Sequence, residues 1–248
     1  MTEFNRYAIY FAPEPGPLAD FAACWLGWDL LTGTPATQME LDGVNLDVIT
    51  ETPRKYGFHG TIKPPFRLAI GQDPSALTQA TASLCKRLSP VVLDGLCLAR
   101  LGRFLALVPS GDTTPLKMLA ADVVRSLDRF RAAPDEQETA RRLRARLTAR
   151  QLELLHRWGY PYVMEEFRFH MTLTGTMPRP DAKALKAKLE PVLASLLHQP
   201  LRVNSLCLVG QDSSGMFRLI QRFFLSGQAP DTDNSTKIGQ IVPDIHSK

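Results

Sequence analysis

The chain has 248 residues, 44% hydrophobic and 22% charged, with 16 Gly and 19 Pro. That is enough apolar material for one large core or two small lobes, and the composition is too balanced for wholesale disorder. With 29 Lys and Arg against 25 Asp and Glu the formal charge is +4, which admits a local anion site but lacks the excess expected of a dedicated duplex binder. No stretch approaches the ~20 apolar residues that span a bilayer, and Met1 to Arg6 does not lead from a basic region into a signal-peptide core. A soluble, cytoplasmic protein with no membrane partner is therefore expected. Cys24, Cys85, Cys97 and Cys207 match neither the CxxC spacing of metal sites nor the dense framework of a small secreted domain. They are read as reduced core thiols.

Arg6 to Ala12 is rich in β-preferring residues and stops at Pro13, a first strand. Leu18, Phe21, Ala22, Trp25 and Leu26 then recur at helical spacing. Leu31 to Pro53 is loop-like, and a second strand is expected over Gly57 to Leu68. Asp73-Pro74 opens a helix that ends before Ser89-Pro90. Strands over Val91 to Leu101 and Arg103 to Val108 meet at a Gly102 turn. Thr114-Pro115 starts a helix whose inward face is Leu116, Leu119, Ala120, Val123, Leu127 and Phe130. Pro134 to Trp158 reads as one helix, acidic at its start and arginine-rich later, an order that suits the helix dipole. A strand over Glu166 to Met177, a helix over Asp181 to Leu197 burying Leu185, Leu189, Val192, Leu193 and Leu196, and strands over Leu201 to Val209 and Met216 to Leu225 complete the pattern. From 227 to 248 the sequence is polar and aperiodic, a disordered tail.

The order strand, helix, strand, strand occurs twice, and the copies share letters. Phe58-His59-Gly60-Thr61-Ile62 matches Phe169-His170-Met171-Thr172-Leu173. Leu96-Cys97-Leu98 begins 37 residues after His59, and Leu206-Cys207-Leu208 begins 36 residues after His170. Repeat one covers about 57–109 and repeat two about 166–226, with inserted helices over about 113–158 between them. A bilobal, duplicated α+β fold follows, with two mostly antiparallel sheets and flanking helices around a central cleft. Strand alternation aims His59, Thr61 and Lys63 together, and likewise His170, Thr172 and Thr174. The alternation that turns Lys63 inward is vulnerable at Pro64-Pro65.

Two imidazoles facing one cleft can serve as general base and general acid, because an unperturbed pKa of ~6.5 lets one be neutral and the other protonated. A phosphodiester suits them: one histidine deprotonates the attacking water or hydroxyl and the other protonates the leaving alkoxide. Thr61 and Thr172 can donate to the non-bridging oxygens, where charge grows in the transition state. Lys63 can add a cation, and Tyr56 or Arg54 can hold the rest of the ligand. No metal and no cofactor is required.

The paired His-x-Thr motifs in a duplicated α/β chain resemble the two-histidine (2H) phosphoesterase superfamily. More narrowly, Arg6-Tyr7-Ala8-Ile9-Tyr10-Phe11-Ala12-Pro13, the stretch Tyr56 to Leu68 and the stretch Phe167 to Gly175 resemble the DUF1045 branch, whose members are often labelled phosphonate metabolism proteins. The resemblance covers residues 6 to about 226. It implies His59 and His170 as catalytic histidines and Thr61 and Thr172 as phosphate ligands. It also implies a metal-independent cleft and a small cyclic phosphoester, such as a cyclic ribosyl phosphate, as substrate. RNA ends carrying a 2′,3′-cyclic phosphate are the second choice, and a non-catalytic phosphate- or RNA-binding module is the third.

The remaining features have plainer readings. The arginines at 141, 142, 144, 146, 150 and 157 read as a solvated helix face. Trp25, Trp28 and Trp158 read as core, and His156, His198 and His246 as surface residues.

Overall fold

Alternation of side chains on the first strand decides which face of the sheet is core. The computed structural model describes residues 4–228, apart from Ala145, His198 and the side chain of Arg141. In it, β1 (Arg6–Phe11) sends Tyr7, Ile9 and Phe11 into the main core and Ala8 and Tyr10 into a smaller cluster on the opposite face. Next comes α1 (Pro17–Leu26), opened by Pro17 and closed by Gly27 at a φ of 75°, a left-handed stop that glycine adopts without strain. Two short strands, β2 (Trp28–Asp29) and β3 (Thr34–Pro35), pair with each other. Residues 31–53, expected as loop, contain most of α2 (Leu46–Arg54), capped by Asn45 accepting from the Val48 amide. Its buried face is only Leu46, Thr50 and Pro53, too little apolar periodicity to announce a helix.

The middle of the chain supplies β4 (Gly60–Phe66), α3 (Pro74–Cys85), β5 (Val91–Leu93), β6 (Gly95–Leu101), β7 (Phe104–Ser110) and α4 (Thr114–Ser126). The strand expected over Val91 to Leu101 breaks at Asp94, and α4 ends before a 3-10 turn at Asp128–Phe130 that still buries Phe130. Pro134 to Trp158 is two helices, α5 (Glu136–Leu143) and α6 (Ala149–Trp158). The break has a local cause: Thr148 and Gln151 form a reciprocal capping box that starts a new helix. Then follow β8 (Met171–Thr172), far shorter than the expected strand, α7 (Arg179–Leu197), β9 (Leu201–Val203), β10 (Ser205–Gln211) and β11 (Phe217–Phe224). Along α7, Leu185, Leu189 and Leu193 are buried and Val192 is exposed. His156 is exposed; His198, His246 and the expected tail beyond Gln228 lie outside the described residues.

Seven strands form one antiparallel sheet in the order β11-β10-β1-β4-β8-β7-β6. The α+β class with antiparallel strands and flanking helices stands, and the two expected sheets are joined into one through the pairing Gly60↔Met171. Each motif strand lies on the side of the other copy's hairpin. β8 adjoins β7, and β4 reaches β10 through β1. A separate pairing of β5 with β9 also links the copies. Trp25 is fully buried and its indole donates to the Leu173 carbonyl at 2.8 Å; Trp28, on β2, is buried too. All four cysteines are free thiols; Cys85 and Cys207 are buried, while Cys97 is exposed, against expectation. Among the described residues no helix is long and apolar enough to cross a membrane.

The joint depends on close approach. A Cβ on Gly60 would lie 2.2 Å from a ring carbon of Phe169, which is itself buried beside His170. Gly60→Ala should therefore lower stability by ~1–3 kcal/mol, the usual range for overpacking, measured as a fall in the urea midpoint.

Candidate active site

The seam between β4 and β8 brings the two His-x-Thr motifs together. Antiparallel pairing of Gly60 with Met171 sets His59 across from Thr172 and His170 across from Thr61, since register continues one residue to either side. Gly60 and Met171 are buried on one face, so the four polar residues share the other. Each histidine immediately precedes its strand, and all four residues are half-buried. A pocket of about 260 Å³ opens here, with His59, Thr172, Tyr56, Phe104 and Thr174 among its lining residues.

Both imidazoles are held in the same way. His59 Nδ1 lies 2.9 Å from the Gly57 carbonyl and His170 Nδ1 lies 2.9 Å from the Arg168 carbonyl. A carbonyl oxygen can only accept, so Nδ1 carries the proton in each ring and Nε2 is the working nitrogen. His59 Nε2 sits 2.9 Å from Thr61 Oγ1, and in the neutral ring it accepts the hydroxyl proton.

The surroundings of the two rings differ. Tyr10 stacks on His59 with ring centres 3.6 Å apart and planes 19° from parallel, while Phe104 lies tilted against His170 at 5.8 Å. Burial pushes the His59 pKa down to about 4; the Gly57 carbonyl opposes this, and the charge of His170 adds to it. His59 is therefore neutral near pH 7, and the effect of His170 on it shows that the two rings interact. Burial, with Tyr56 adding to it, raises Tyr10 well above the usual tyrosine value, so its hydroxyl stays protonated.

Of the other expected ligand-holding residues, Tyr56 is at the site and Lys63 is not. Tyr56 stacks on Phe217 at 5.3 Å, with its ring centre 6.3 Å from that of His59. Lys63 is turned away by a register shift: β1 pairs Tyr10 with Thr61 but Ile9 with Lys63, so one step on β1 faces two on β4, as in a β-bulge. Thr61 shares the cleft face with Tyr10, and Lys63 shares the core face with Ile9. There Lys63 is 2% exposed, donating to the Val124 carbonyl at 3.3 Å in the last turn of α4 and to Asp128 Oδ1 at 3.4 Å. Burial lowers its pKa to about 8 against the pull of Asp128. Thr174 is also removed from ligand duty; it is buried, accepting from the Leu105 amide and donating to the Gly175 carbonyl. Arg54 donates to the Leu26 carbonyl and to Asp47, which makes it a brace between α1 and α2. Sequence reasoning misses Tyr10 as a site residue. Its neighbours Ala8 and Ala12 on the same face give it the look of ordinary core.

The Arg-rich segment is mixed. Arg144, Arg146, Arg150 and Arg157 are exposed, but Arg142 is largely buried with its guanidinium 4.8 Å from the centre of the Tyr160 ring. Among the described residues no group of three or more His, Cys, Asp or Glu is placed to hold a metal ion.

An antiparallel α+β sheet with two facing His-x-Thr motifs defines a class of protein with a paired-histidine cleft. Within it, the family model DUF1045, a protein of unknown function, matches residues 61–218, and the chain belongs to that family. Two curated relatives are both named ribose 1,5-bisphosphate phosphokinase PhnN. That of Janthinobacterium sp. (strain Marseille) is 38% identical over 233 residues, covering 90% of this chain and 51% of the relative. That of Laribacter hongkongensis (strain HLHK9) is 33% identical over 239 residues, covering 96% and 56%. The chain thus spans about half the length of the curated relatives it matches. Solved structures align loosely. E. coli LigT complexed with 3'-AMP gives a TM-score of 0.44 at 13% identity, covering 91% of this chain and all of LigT. TT0787 of Thermus thermophilus gives 0.44 at 15%, covering 90% of this chain and all of that one. TM-scores this low supply no residue correspondence.

The environment of His59 has a thermodynamic consequence. It takes up its proton near pH 4 in the folded chain and near ~6.5 in the unfolded chain. Between these values the unfolded chain holds more protons, so stability falls as pH drops from about 6.5 toward about 4. Urea midpoints measured at about pH 7 and about pH 4.5 should differ more in the parent than in His59→Gln.

Proposed function

We propose that this chain is a phosphoesterase that opens a small cyclic phosphodiester with water, using His59 as general base and His170 as general acid. The observation that carries the reading is the reciprocal quartet at the seam, in which each histidine faces the other motif's threonine with Nδ1 already bonded to a carbonyl. His59 takes the base role because its burial keeps it neutral, with a lone pair on Nε2. Water attacks phosphorus as His59 Nε2 removes its proton. The P–O bond to the leaving oxygen breaks, and His170 Nε2–H supplies the proton that makes the alcohol. Thr61 and Thr172 donate to the non-bridging oxygens. Thr61 turns from His59 Nε2 to the phosphoryl group when substrate enters. The pocket beside them, walled by Tyr56 and Phe104, receives the alcohol portion.

The substrate we favour is a cyclic ribosyl phosphate. The curated relatives are named for an activity on ribose 1,5-bisphosphate, and opening such a ring yields a ribosyl phosphate monoester. The phosphokinase name itself is not carried over, because the sequence has no G-x-x-x-x-G-K-[ST] phosphate loop. The reading also fits the phosphonate-metabolism label that the motifs bring by resemblance.

His59→Ala and His170→Ala should each lower kcat by ~10²–10⁴-fold, the usual worth of a general acid or base, in protein that keeps its far-UV circular dichroism. Activity that a chelator abolishes and added metal restores would overturn this mechanism. The pH profile of kcat/KM should be bell-shaped, with the acid limb below the ordinary histidine value because that limb reports His59. Assays of a cyclic ribosyl phosphate, a 2′,3′-cyclic mononucleotide and a short RNA ending in a cyclic phosphate should rank in that order; preference for the RNA would move the assignment to RNA ends.

A further inference from the structure

The two copies differ at a matched position beside the motifs. On β1, Phe11 pairs with Gly60 and Tyr10 with Thr61; on β7, Leu107 pairs with Met171 and Ala106 with Thr172. Gly60 and Met171 are the middle residues of the two His-x-Thr motifs, so Tyr10 beside the first motif stands where Ala106 stands beside the second. Counting back along each strand, Ala8-Ile9-Tyr10-Phe11 lines up with Phe104-Leu105-Ala106-Leu107, and the large and small residues have traded places. The trade changes what each imidazole meets. Tyr10, fully buried, lies face to face with His59 at 3.6 Å between ring centres, whereas Phe104 reaches His170 tilted by 48° at 5.8 Å.

A stacked ring covers one face of an imidazole and leaves its nitrogens, which lie in the ring plane, free to bond. With Tyr10 against its face, His59 keeps Nδ1 on the Gly57 carbonyl and Nε2 beside Thr61 Oγ1. Tyr10 is itself backed by Phe217 at 5.7 Å, and Phe217 by Tyr56 at 5.3 Å, so the stack has little room to shift. The Tyr10 hydroxyl has no hydrogen-bond partner among the described residues, which leaves the ring as the useful part of the side chain. The titratable groups that face His59 are Tyr10 on β1, Tyr56 ahead of β4 and His170 ahead of β8; Arg6 acts at one remove, on Tyr10. We propose that Tyr10 is a positioning residue that divides the roles of the histidines: its ring fixes His59 and shuts water from one face, and Ala106 withholds the same cover from His170. The inference rests on the phosphodiester reading of the histidine pair and deepens it, since it says why His59 and not His170 takes the proton from water. Exclusion of water favours the uncharged ring, in line with the low pKa of His59.

The test uses the full chain and two apolar replacements at position 10. Tyr10→Phe keeps the flat ring, and Tyr10→Leu fills the core without one. The imidazole proton resonance that disappears in His59→Gln reports the titration of His59 by NMR. Tyr10→Phe should keep its midpoint within about 0.3 pH units of the parent, and Tyr10→Leu should raise it by about one unit or more toward the ordinary histidine value. The acid limb of kcat/KM for a cyclic phosphodiester should move up with it. A midpoint in Tyr10→Leu that matches Tyr10→Phe, or lies below it, overturns the proposal, as does an acid limb that stays in place while the midpoint rises. The NMR arm needs no turnover. A rise in Tyr10→Leu supports the hold of Tyr10 on His59 even where no diester is hydrolysed, an outcome that would reject only the catalytic reading. Hydrolysis together with equal midpoints in the two variants would reject the role of Tyr10 and leave the catalytic reading standing.

Discussion

The whole site depends on one backbone pairing, that of Gly60 with Met171 where the two motif strands meet. Antiparallel register around that pair makes the arrangement reciprocal, because whatever stands beside glycine on one strand is matched by what stands beside methionine on the other. Phe169 reinforces the pairing by filling the volume a side chain at 60 would occupy. The hairpins complete the constraint from outside. Each motif strand is supported on the side of the other copy's hairpin, so the halves are interlaced in the sheet although they are consecutive in the chain. The β5 with β9 pairing adds a second tie between copies.

Orientation of the imidazoles is also settled by the backbone. In both motifs the carbonyl two residues upstream accepts a hydrogen bond from Nδ1–H, so the tautomer follows from the local chain path and needs no dedicated carboxylate. Two cations away from the cleft have structural partners instead. Lys63 closes the last turn of α4 and shares Asp128 with Arg131, binding the motif strand to the segment that leads into α5. Arg142 stands on α5 itself, over Tyr160.

Much of this is legible in the sequence. The repeat, the strands around it, α1, α3, α4 and α7 all follow from periodicity and proline or glycine punctuation. The convergence of His59, Thr61, His170 and Thr172 on one face follows from their spacing. What escapes has little or no local signal. Helix α2 buries only three small or middling residues, so its helical character comes from packing and the Asn45 cap. The turn of Lys63 into the core is a register event between β1 and β4, and single-strand alternation is blind to it. The split between α5 and α6 comes from a capping box inside a charged run. Tyr10 belongs to the site only because the fold lays β1 directly beside β4, about fifty residues onward.

Duplication leaves a paired-histidine cleft with an ambiguity that its motifs cannot resolve. Two equal halves would offer identical groups to a ligand entering either way round, and no division of labour would arise. The stacked tyrosine against His59 and the tilted phenylalanine against His170 remove that degeneracy. The difference between the two ends of the cleft is thus written into the neighbours of the motifs, where the two copies have diverged, while the copies keep the His-x-Thr groups alike.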